Sequence, residues 1–430
     1  MVCHPHAIDH RSFCFSFVVE KYEVQPRDEV DPHHPFCFID CRGYLEFDRN
    51  GEVHLATCSG NSSCRRFLKS HMLQNFSPIQ IESFAPAAHD LSNRSAEPLC
   101  PYFGRCGGCS FQHLPYEQQL TLKQTYLEAM FREVPEWADL EIKPILPSPK
   151  IYGYRNVITL NVRQQSGIPY LGFIEKDGRT FFPIDHCPIA NETLNAKLPS
   201  VLEKFITKVT EKKRYRTSQI GVRIGRQGEL YTTIRDRPLD QTLSASVLGK
   251  TLKYPGHSFF QVNDSILDDF VTCAANLLGD PRECDLVDLY CGVGLFAVTL
   301  ADRYKRVLGI EESEESIKFA SENARLNQLT HVSFVASRTE KATDDLRRAA
   351  GEKLHVIVDP PRRGMHREAI GLLLQMPGIQ KLVYVSCYPE SLIRDLQALS
   401  LRFRPVSVQP CDMFPQTKHM ETIVLLIPKD

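Results

Sequence analysis

From Asp285 to the C-terminus the sequence alternates short apolar runs with helical stretches. No other feature constrains the fold as tightly. Asp285-Leu286-Val287-Asp288-Leu289-Tyr290 reads as a strand. Cys291-Gly292-Val293-Gly294-Leu295-Phe296-Ala297 reads as a glycine turn opening a helix, and residues 306–310 as a second strand ending at Glu311. Such near-continuous apolar strands are buried on both faces of a parallel sheet. The alternation predicts an open, doubly wound α/β sheet, which binds ligands at the carboxyl ends of its strands. Gly292 and Gly294 let a ligand approach the backbone. Glu311 stands about twenty residues further on, where an acidic side chain grips ribose hydroxyls in nucleotide-binding folds. A later strand ends in Asp359-Pro360-Pro361-Arg362-Arg363-Gly364, and another, Leu382-Val383-Tyr384-Val385, in Ser386-Cys387-Tyr388-Pro389. That places Cys387 at the lip of the sheet, on a turn closed by Pro389. The alternative is a buried structural cysteine, a common fate for a free thiol.

A chain of 430 residues is too long for one core and predicts two to four domains. Lys and Arg number 51 against 52 Asp and Glu, so no global basic field points to nucleic acid, and any RNA-binding surface must be local. No apolar run is long enough to span a membrane. Residues 13–19 are short, contain Cys and Ser, and follow His and Asp, a poor signal peptide. A cytoplasmic location is expected. The 15 cysteines then favour metal ligands over disulfides wherever they cluster.

They cluster at Cys100-Pro101-Tyr102-Phe103-Gly104-Arg105-Cys106-Gly107-Gly108-Cys109. The glycines allow both flanking sulfurs to point inward. Cys187, in Asp185-His186-Cys187-Pro188, is the best candidate for a fourth ligand. Three close cysteines with one distant one fit a [4Fe-4S] cluster; zinc is the alternative, and unmetallated thiols a third. Cys37, Cys41, Cys58 and Cys64 form a weaker set, lacking the tight C-x2-C turn of zinc ribbons.

Residues 1–90 read as a small β-rich module, with a hairpin turn at Asp48-Arg49-Asn50-Gly51, and residues 83–98 as a linker. Residues 114–133 have helical periodicity, with Leu120, Leu127, Met130 and Phe131 on the apolar face and Lys123, Glu128 and Arg132 on the others. Residues 154–162, 168–174, 220–224 and 229–234 alternate as strands of a small antiparallel sheet. Lys204, Lys208, Lys212, Lys213, Arg214 and Arg216 make a basic run, ordinarily a solvated helix face. The expected domains are 1–90, a central cysteine-cluster and RNA-binding domain at 91–250, and a catalytic domain at 251–430.

A glycine turn followed by an acid also fits an NAD- or FAD-linked iron–sulfur oxidoreductase. The Asp-Pro-Pro element separates the two, because dehydrogenases have no use for it, whereas enzymes that methylate nucleobases hold a similar one against the base. Asp288-Leu289-Tyr290-Cys291-Gly292-Val293-Gly294, Asp359-Pro360-Pro361-Arg362-Arg363-Gly364, Val385-Ser386-Cys387-Tyr388-Pro389 and Asp412-Met413-Phe414-Pro415-x-Thr417-x-His419-x-Glu421 stand in that order. Together they resemble the RNA uracil-C5 methyltransferases. The four-cysteine pattern resembles the iron–sulfur branch, which includes the 23S rRNA (uracil-5-)-methyltransferases. The resemblance runs from about residue 98 to the C-terminus. Several members carry a small RNA-binding TRAM barrel at the N-terminus, and residues 1–90 show no clear glycine-rich barrel pattern.

The resemblance implies a Rossmann-like domain dependent on S-adenosylmethionine (SAM), forming 5-methyluridine in rRNA or, alternatively, tRNA. It implies Cys387 as nucleophile and Glu421 as general base. It implies Gln261, Tyr290, Glu311 and Asp359 as cofactor contacts beside Gly292 and Gly294. Leu295 and Arg338 stand where some relatives have polar cofactor contacts. With an RNA substrate, Arg155, Lys212, Lys213, Arg214, Arg362 and Arg363 become candidate RNA contacts. A monomer is expected.

Overall fold

The computed structural model describes residues 43–47, 53–58, 95–166, 168–210, 218–234, 241–342, 346 and 353–429. The chain divides into two compact units, Met1–Phe84 and Ala85–Asp430. In the first, β1 (Gly43–Phe47) pairs antiparallel with β2 (Val53–Cys58), and the turn expected at residues 48–51 lies outside the described residues. The side chains of Cys37, Cys41, Cys58 and Cys64, any TRAM barrel, and Lys212, Lys213, Arg214 and Arg216 lie outside the described residues.

In the second unit, α1 (Tyr116–Arg132) precedes an antiparallel sheet built of β3 (Val157–Gln165), β4 (Ile168–Ile174), β5 (Phe181–Pro183), β6 (Ser218–Ile224) and β7 (Leu230–Ile234). Its strand order is β5-β4-β3-β6-β7. One face is covered by α2 (Glu192–Thr210), and a core of its own gathers Leu160, Val162, Leu194, Leu198, Ile220 and Val222. Its alternating strands bury one face, as antiparallel sheets do. The expected first strand starts at Val157 rather than at residue 154, because the preceding residues are committed elsewhere. Tyr154 donates its hydroxyl to Pro415 O (3.0 Å), and Asn156 Nδ2 bonds Gln261 O (3.0 Å) and Asp264 Oδ1 (2.8 Å).

A hairpin of β8 (Thr242–Val247) and β9 (Lys250–Pro255) turns on Leu248 and Gly249, both at positive φ, as a two-residue hairpin loop requires. Then come α3 (Leu267–Leu278), β10 (Asp285–Leu289), α4 (Leu295–Thr299), β11 (Arg306–Glu311), α5 (Glu314–Leu326), β12 (Val332–Ala336), β13 (Leu354–Val358), α6 (Arg367–Gln375), β14 (Ile379–Ser386), α7 (Pro389–Leu399), β15 (Phe403–Cys411) and β16 (Glu421–Pro428). The hairpin packs into the same core as these elements. Asn323 of α5 and Asn327, which follows its last residue, each bond both the N–H and the carbonyl of one β9 residue, Lys253 and Thr251, with distances of 2.7–3.0 Å.

The seven strands order as β12-β11-β10-β13-β14-β16-β15. The neighbours from β12 to β14 are parallel, while β16 runs antiparallel to both β14 and β15. The predicted α/β class is therefore the observed one. β10 and β13 are buried at every residue, which accounts for their largely apolar composition, broken only by Asp285, Asp288 and His355. The chain leaves β10 toward one edge and returns beside it at β13, so the switch point lies between these two strands.

Two expectations need correction. Lys123 does not face solvent: it is 2% exposed on the buried side of α1, beside Leu127 and Met130, and paired with Asp412. Pro389 does not close a turn but opens α7 at its first position, where the missing N–H costs nothing. No helix among the described residues is long and apolar enough to cross a membrane.

Gly309, on β11, shows how closely this core is packed. A Cβ there would stand 2.4 Å from the Phe334 ring and 2.9 Å from Cys291 Sγ. Gly309→Ala is expected to destabilise the protein by about 1–3 kcal/mol, as overpacking does, read from urea unfolding.

Candidate active site

The site collects at the carboxyl ends of β10, β11, β13 and β14. At the end of β10 the backbone reverses through Tyr290 (φ 64°), Gly292 (φ 53°) and Gly294 (φ 90°). A Cβ on Gly292 would meet nothing within 4 Å, so its backbone faces open space. Below the turn, Asp288 is fully buried and accepts from Ala297 N–H (2.9 Å) through Oδ2. Burial pushes its carboxyl well above the usual range. Glu311 ends β11 and accepts from Gly292 N–H (3.3 Å) and Ser313 N–H (2.9 Å). That fixes a carboxylate beside the glycine turn, as a ribose-binding acid needs. The open face at Gly292 and the fixed Glu311 fit a nucleoside-bearing cofactor. Leu295 is buried in the core, and Arg338 pairs at the surface with Glu312 (3.4 Å).

Asp359 follows β13, and its N–H donates to Leu289 O (3.3 Å), tying it to β10. The Asp-Pro-Pro loop is then pinned from α7. Ser391 Oγ donates to Arg362 O (3.1 Å), Arg394 Nη2 to Arg363 O (2.7 Å), and Met365 N–H to Asp395 Oδ2 (2.6 Å). The same Asp395 oxygen accepts the Tyr384 hydroxyl from β14 (2.6 Å). Sequence reasoning missed Ser391, Arg394 and Asp395, since polar residues inside a helical stretch give no signal of the loop they hold. Arg362 lies over the Tyr388 ring at 4.9 Å and donates to His419 Nδ1 (3.2 Å). Burial and the Arg362 charge push that imidazole down to about 4, so it is neutral near pH 7 and its Nδ1 accepts. Arg363 is exposed.

β14 and β16 supply the remaining groups. Ser386 is paired with Thr422, so Cys387 and Glu421 are the next residues outward on adjacent strands. Glu421 is 3% exposed, and its Oε2 has no hydrogen-bond partner among the described residues. Burial, then the Asp359 charge, raises its carboxyl well above the usual range. Asp359 is pushed up to about 7 by burial. Cys387 is pushed up to about 12 by burial, then by Glu421 and Asp359, with Arg362 opposing. Each of these three acids is thus held toward its protonated form. Gln261 is buried (5% exposed) in the loop before α3.

The cysteine loop and Cys187 meet against the central sheet, where Cys106 and Cys187 pack on its core. All four thiols are half-buried, and burial with the neighbouring sulfurs pushes Cys109 up to about 12. Gly108 N–H reaches Cys106 Sγ (3.4 Å), and Cys100 N–H donates to Gln112 Oε1 (2.9 Å). Asn195 fastens the second loop, accepting from Cys187 N–H (3.0 Å) and donating to Cys187 O (3.0 Å). Burial raises all four thiols, and neighbouring sulfurs add to the rise at Cys100, Cys109 and Cys187, a donor set suited to a cationic centre. Arg155 stands between this loop and the Gln261 loop, bridged to Ala190 and Asn263, with its Nε buried and unpartnered among the described residues.

A doubly wound sheet with this glycine turn, strand-end acid and open face is the architecture of an enzyme that binds a nucleoside-bearing cofactor, and its relatives make that class the SAM-dependent methyltransferases. Residues 207–429 match the family described as tRNA (Uracil-5-)-methyltransferase. The chain is 30% identical over 349 residues to the tRNA (uracil(54)-C(5))-methyltransferase of Schizosaccharomyces pombe, covering 76% of this chain but 65% of that protein. It is 30% identical over 373 residues to the 23S rRNA (uracil(1939)-C(5))-methyltransferase RlmD of Vibrio parahaemolyticus, covering 78% of this chain and 82% of the relative. Among solved structures, the Pyrococcus abyssi tRNA (uracil-54, C5)-methyltransferase in complex with S-adenosyl-L-homocysteine superposes with a TM-score of 0.57 at 25% identity, covering 75% of this chain and 86% of that one. The chain belongs to the tRNA (uracil-5-)-methyltransferase family.

The Cys387 environment gives a pH test. A thiol raised by burial and two acidic neighbours reacts as thiolate only at alkaline pH. Alkylation of Cys387, followed by peptide mass spectrometry, is expected to keep rising from about pH 7 to about pH 10. Bound SAM, which is cationic at sulfur, should shift the rise to lower pH. A plateau below about pH 8 without SAM would contradict the assigned environment.

Proposed function

We propose that the protein methylates C5 of a uridine in RNA through a covalent adduct, with Cys387 as nucleophile and Glu421 as base. The observation that carries this reading is the convergence of Cys387, Glu421 and Asp359 at the ends of β14, β16 and β13. Uracil C5 is too weak a nucleophile to take a methyl group directly. Cys387, after losing its proton to solvent, adds as the thiolate to C6, which gives C5 carbanion character and divides one hard step into easier ones. SAM, when bound, supplies an electrophilic methyl group and a positive charge. After C5 is methylated, Glu421 removes the C5 proton, the C5=C6 bond re-forms, and the C6–S bond breaks to release Cys387. The buried environment that raises its pKa makes ionised Glu421 a stronger base.

Gly292, Gly294, Tyr290, Glu311, Gln261 and Asp359 are proposed to hold SAM. The target base must leave its stack for both C5 and C6 to be reached. Arg155, Arg362 and Arg363, with Lys212, Lys213 and Arg214, are proposed RNA contacts. The four-cysteine pattern and the Vibrio relative favour rRNA. The family description and the yeast and Pyrococcus relatives favour tRNA as a second reading. Mass mapping of 5-methyluridine in both RNA pools, with and without the gene, decides between them. A cytoplasmic monomer remains the expectation.

Two variants test the chemistry. Cys387→Ala should abolish methylation while SAM still binds, and only the unsubstituted enzyme should trap RNA carrying 5-fluorouridine. Glu421→Gln should accumulate a methylated covalent adduct with ordinary uridine RNA, its release slowed by about 10²–10⁴. Turnover of Glu421→Gln at the normal rate would remove Glu421 from this role.

Cys100, Cys106, Cys109 and Cys187 are proposed to hold a [4Fe-4S] cluster rather than zinc. Among the described residues, the ligand-type side chains that come within 4.8 Å of one another in threes are Glu340, His366 and Glu368, so the thiols are set wider. Four sulfurs about 2.3 Å from one zinc ion would stand roughly 3.8 Å apart. Anaerobically purified protein should be brown and carry about four irons per chain. Colourless protein with one bound zinc would overturn this.

A further inference from the structure

The strand that bears Glu421 is entered through residues 412–420, and this connection is held almost entirely from outside the seven-stranded sheet. Lys123 Nζ of α1 bonds Asp412 Oδ1 (2.5 Å) and Phe414 O (3.1 Å), with both charged side chains about 1% exposed or less. Tyr116 OH, also on α1, donates to Asp412 Oδ2 (2.9 Å). One turn from Lys123, Gln119 accepts from Gln416 N–H (3.0 Å) and donates to Gln416 Oε1 (3.0 Å). Gln416 sits at φ 68°, a conformation a non-glycine residue holds only when its surroundings over-determine it. Asn263 Nδ2 donates to Met413 O (3.1 Å), and Ser110 and Phe111 N–H to Gln416 O (2.8 and 3.0 Å).

The ion pair is the least expected member. A buried pair of this kind adds little stability relative to apolar side chains of the same volume. What apolar groups cannot supply is direction: one ammonium fixes two oxygens of the connection at once. Glu421 needs that direction from its backbone, since its Oε2 has no partner of its own among the described residues.

We propose that Lys123, with Gln119 beside it, is a positioning residue for Glu421. It fixes residues 412–416 and thereby sets where β16 begins and where the Glu421 carboxylate stands relative to Cys387. This rests on the reading of Glu421 as the base that frees the methylated adduct. A misplaced base should therefore slow release and leave adduct formation alone.

Lys123→Met alone strands a buried carboxylate and is a poor test. The pair Lys123→Met with Asp412→Asn removes both charges and leaves Tyr116 an acceptor. With uridine RNA and methyl-labelled SAM, four quantities are read: SAM affinity, thermal midpoint, rate of adduct formation and rate of adduct release. Glu421→Gln runs beside it. The expected result is formation and SAM affinity within about twofold of the unsubstituted enzyme, with release slowed about 10–100-fold, the scale of a 1 Å misplacement. Release at the normal rate, or formation and release reduced by the same factor with a lowered midpoint, overturns the proposal, because the pair then only holds the fold. Stalled Glu421→Gln beside a normally releasing double variant removes the positioning role alone. Glu421→Gln that releases normally removes the reading of the base, and the positioning role with it.

Discussion

The antiparallel insertion of β16 against β14 is the constraint on which the site depends. A wholly parallel sheet would put only strand ends after Cys387 and Asp359 at this edge. Because β16 runs the other way, its first residue arrives where its neighbour's last one departs. An acid that begins a strand thus meets a thiol that ends one. The Ser386–Thr422 register brings the two residues to the same edge through backbone hydrogen bonding.

Around that edge the molecule divides its labour. The parallel strands β10 and β11 present the glycine turn and Glu311. α7 holds the Asp-Pro-Pro loop through Ser391, Arg394 and Asp395. α1 and the loop after Cys109 hold the connection into β16. None of these supports contributes a reacting group in the proposed mechanism. Each locks a backbone segment whose own sequence is rich in proline and glycine or strained at positive φ, and so would not hold one conformation by propensity alone.

Much of this was legible in the sequence, and the division between what was and was not is physical. The strands β10, β11, β13 and β14 announce themselves because burial on both faces demands consecutive apolar residues. Their terminal motifs are contiguous, so Asp359 and Cys387 are marked by them, whereas Glu421, at the start of β16, is marked only by the family resemblance. Lys123 did not. Its periodicity matches the buried face of α1, but a lysine reads as solvated unless its partner is known, and Asp412 is 289 residues away. The same holds for Asp395, an acid in the interior of an amphipathic helix. Pro389 was read as a stop where it is a start, since proline suits both a turn and the first position of a helix.

The protonation state of the pocket has a bearing on recognition. RNA brings a dense row of negative phosphates, and three ionised acids at the mouth of a site would repel it. Burial keeps Asp359, Glu421 and Cys387 toward their neutral forms while Arg362 stands charged beside them. The groups proposed for the chemistry therefore show an approaching polyanion a weaker negative field than three fully ionised acids would.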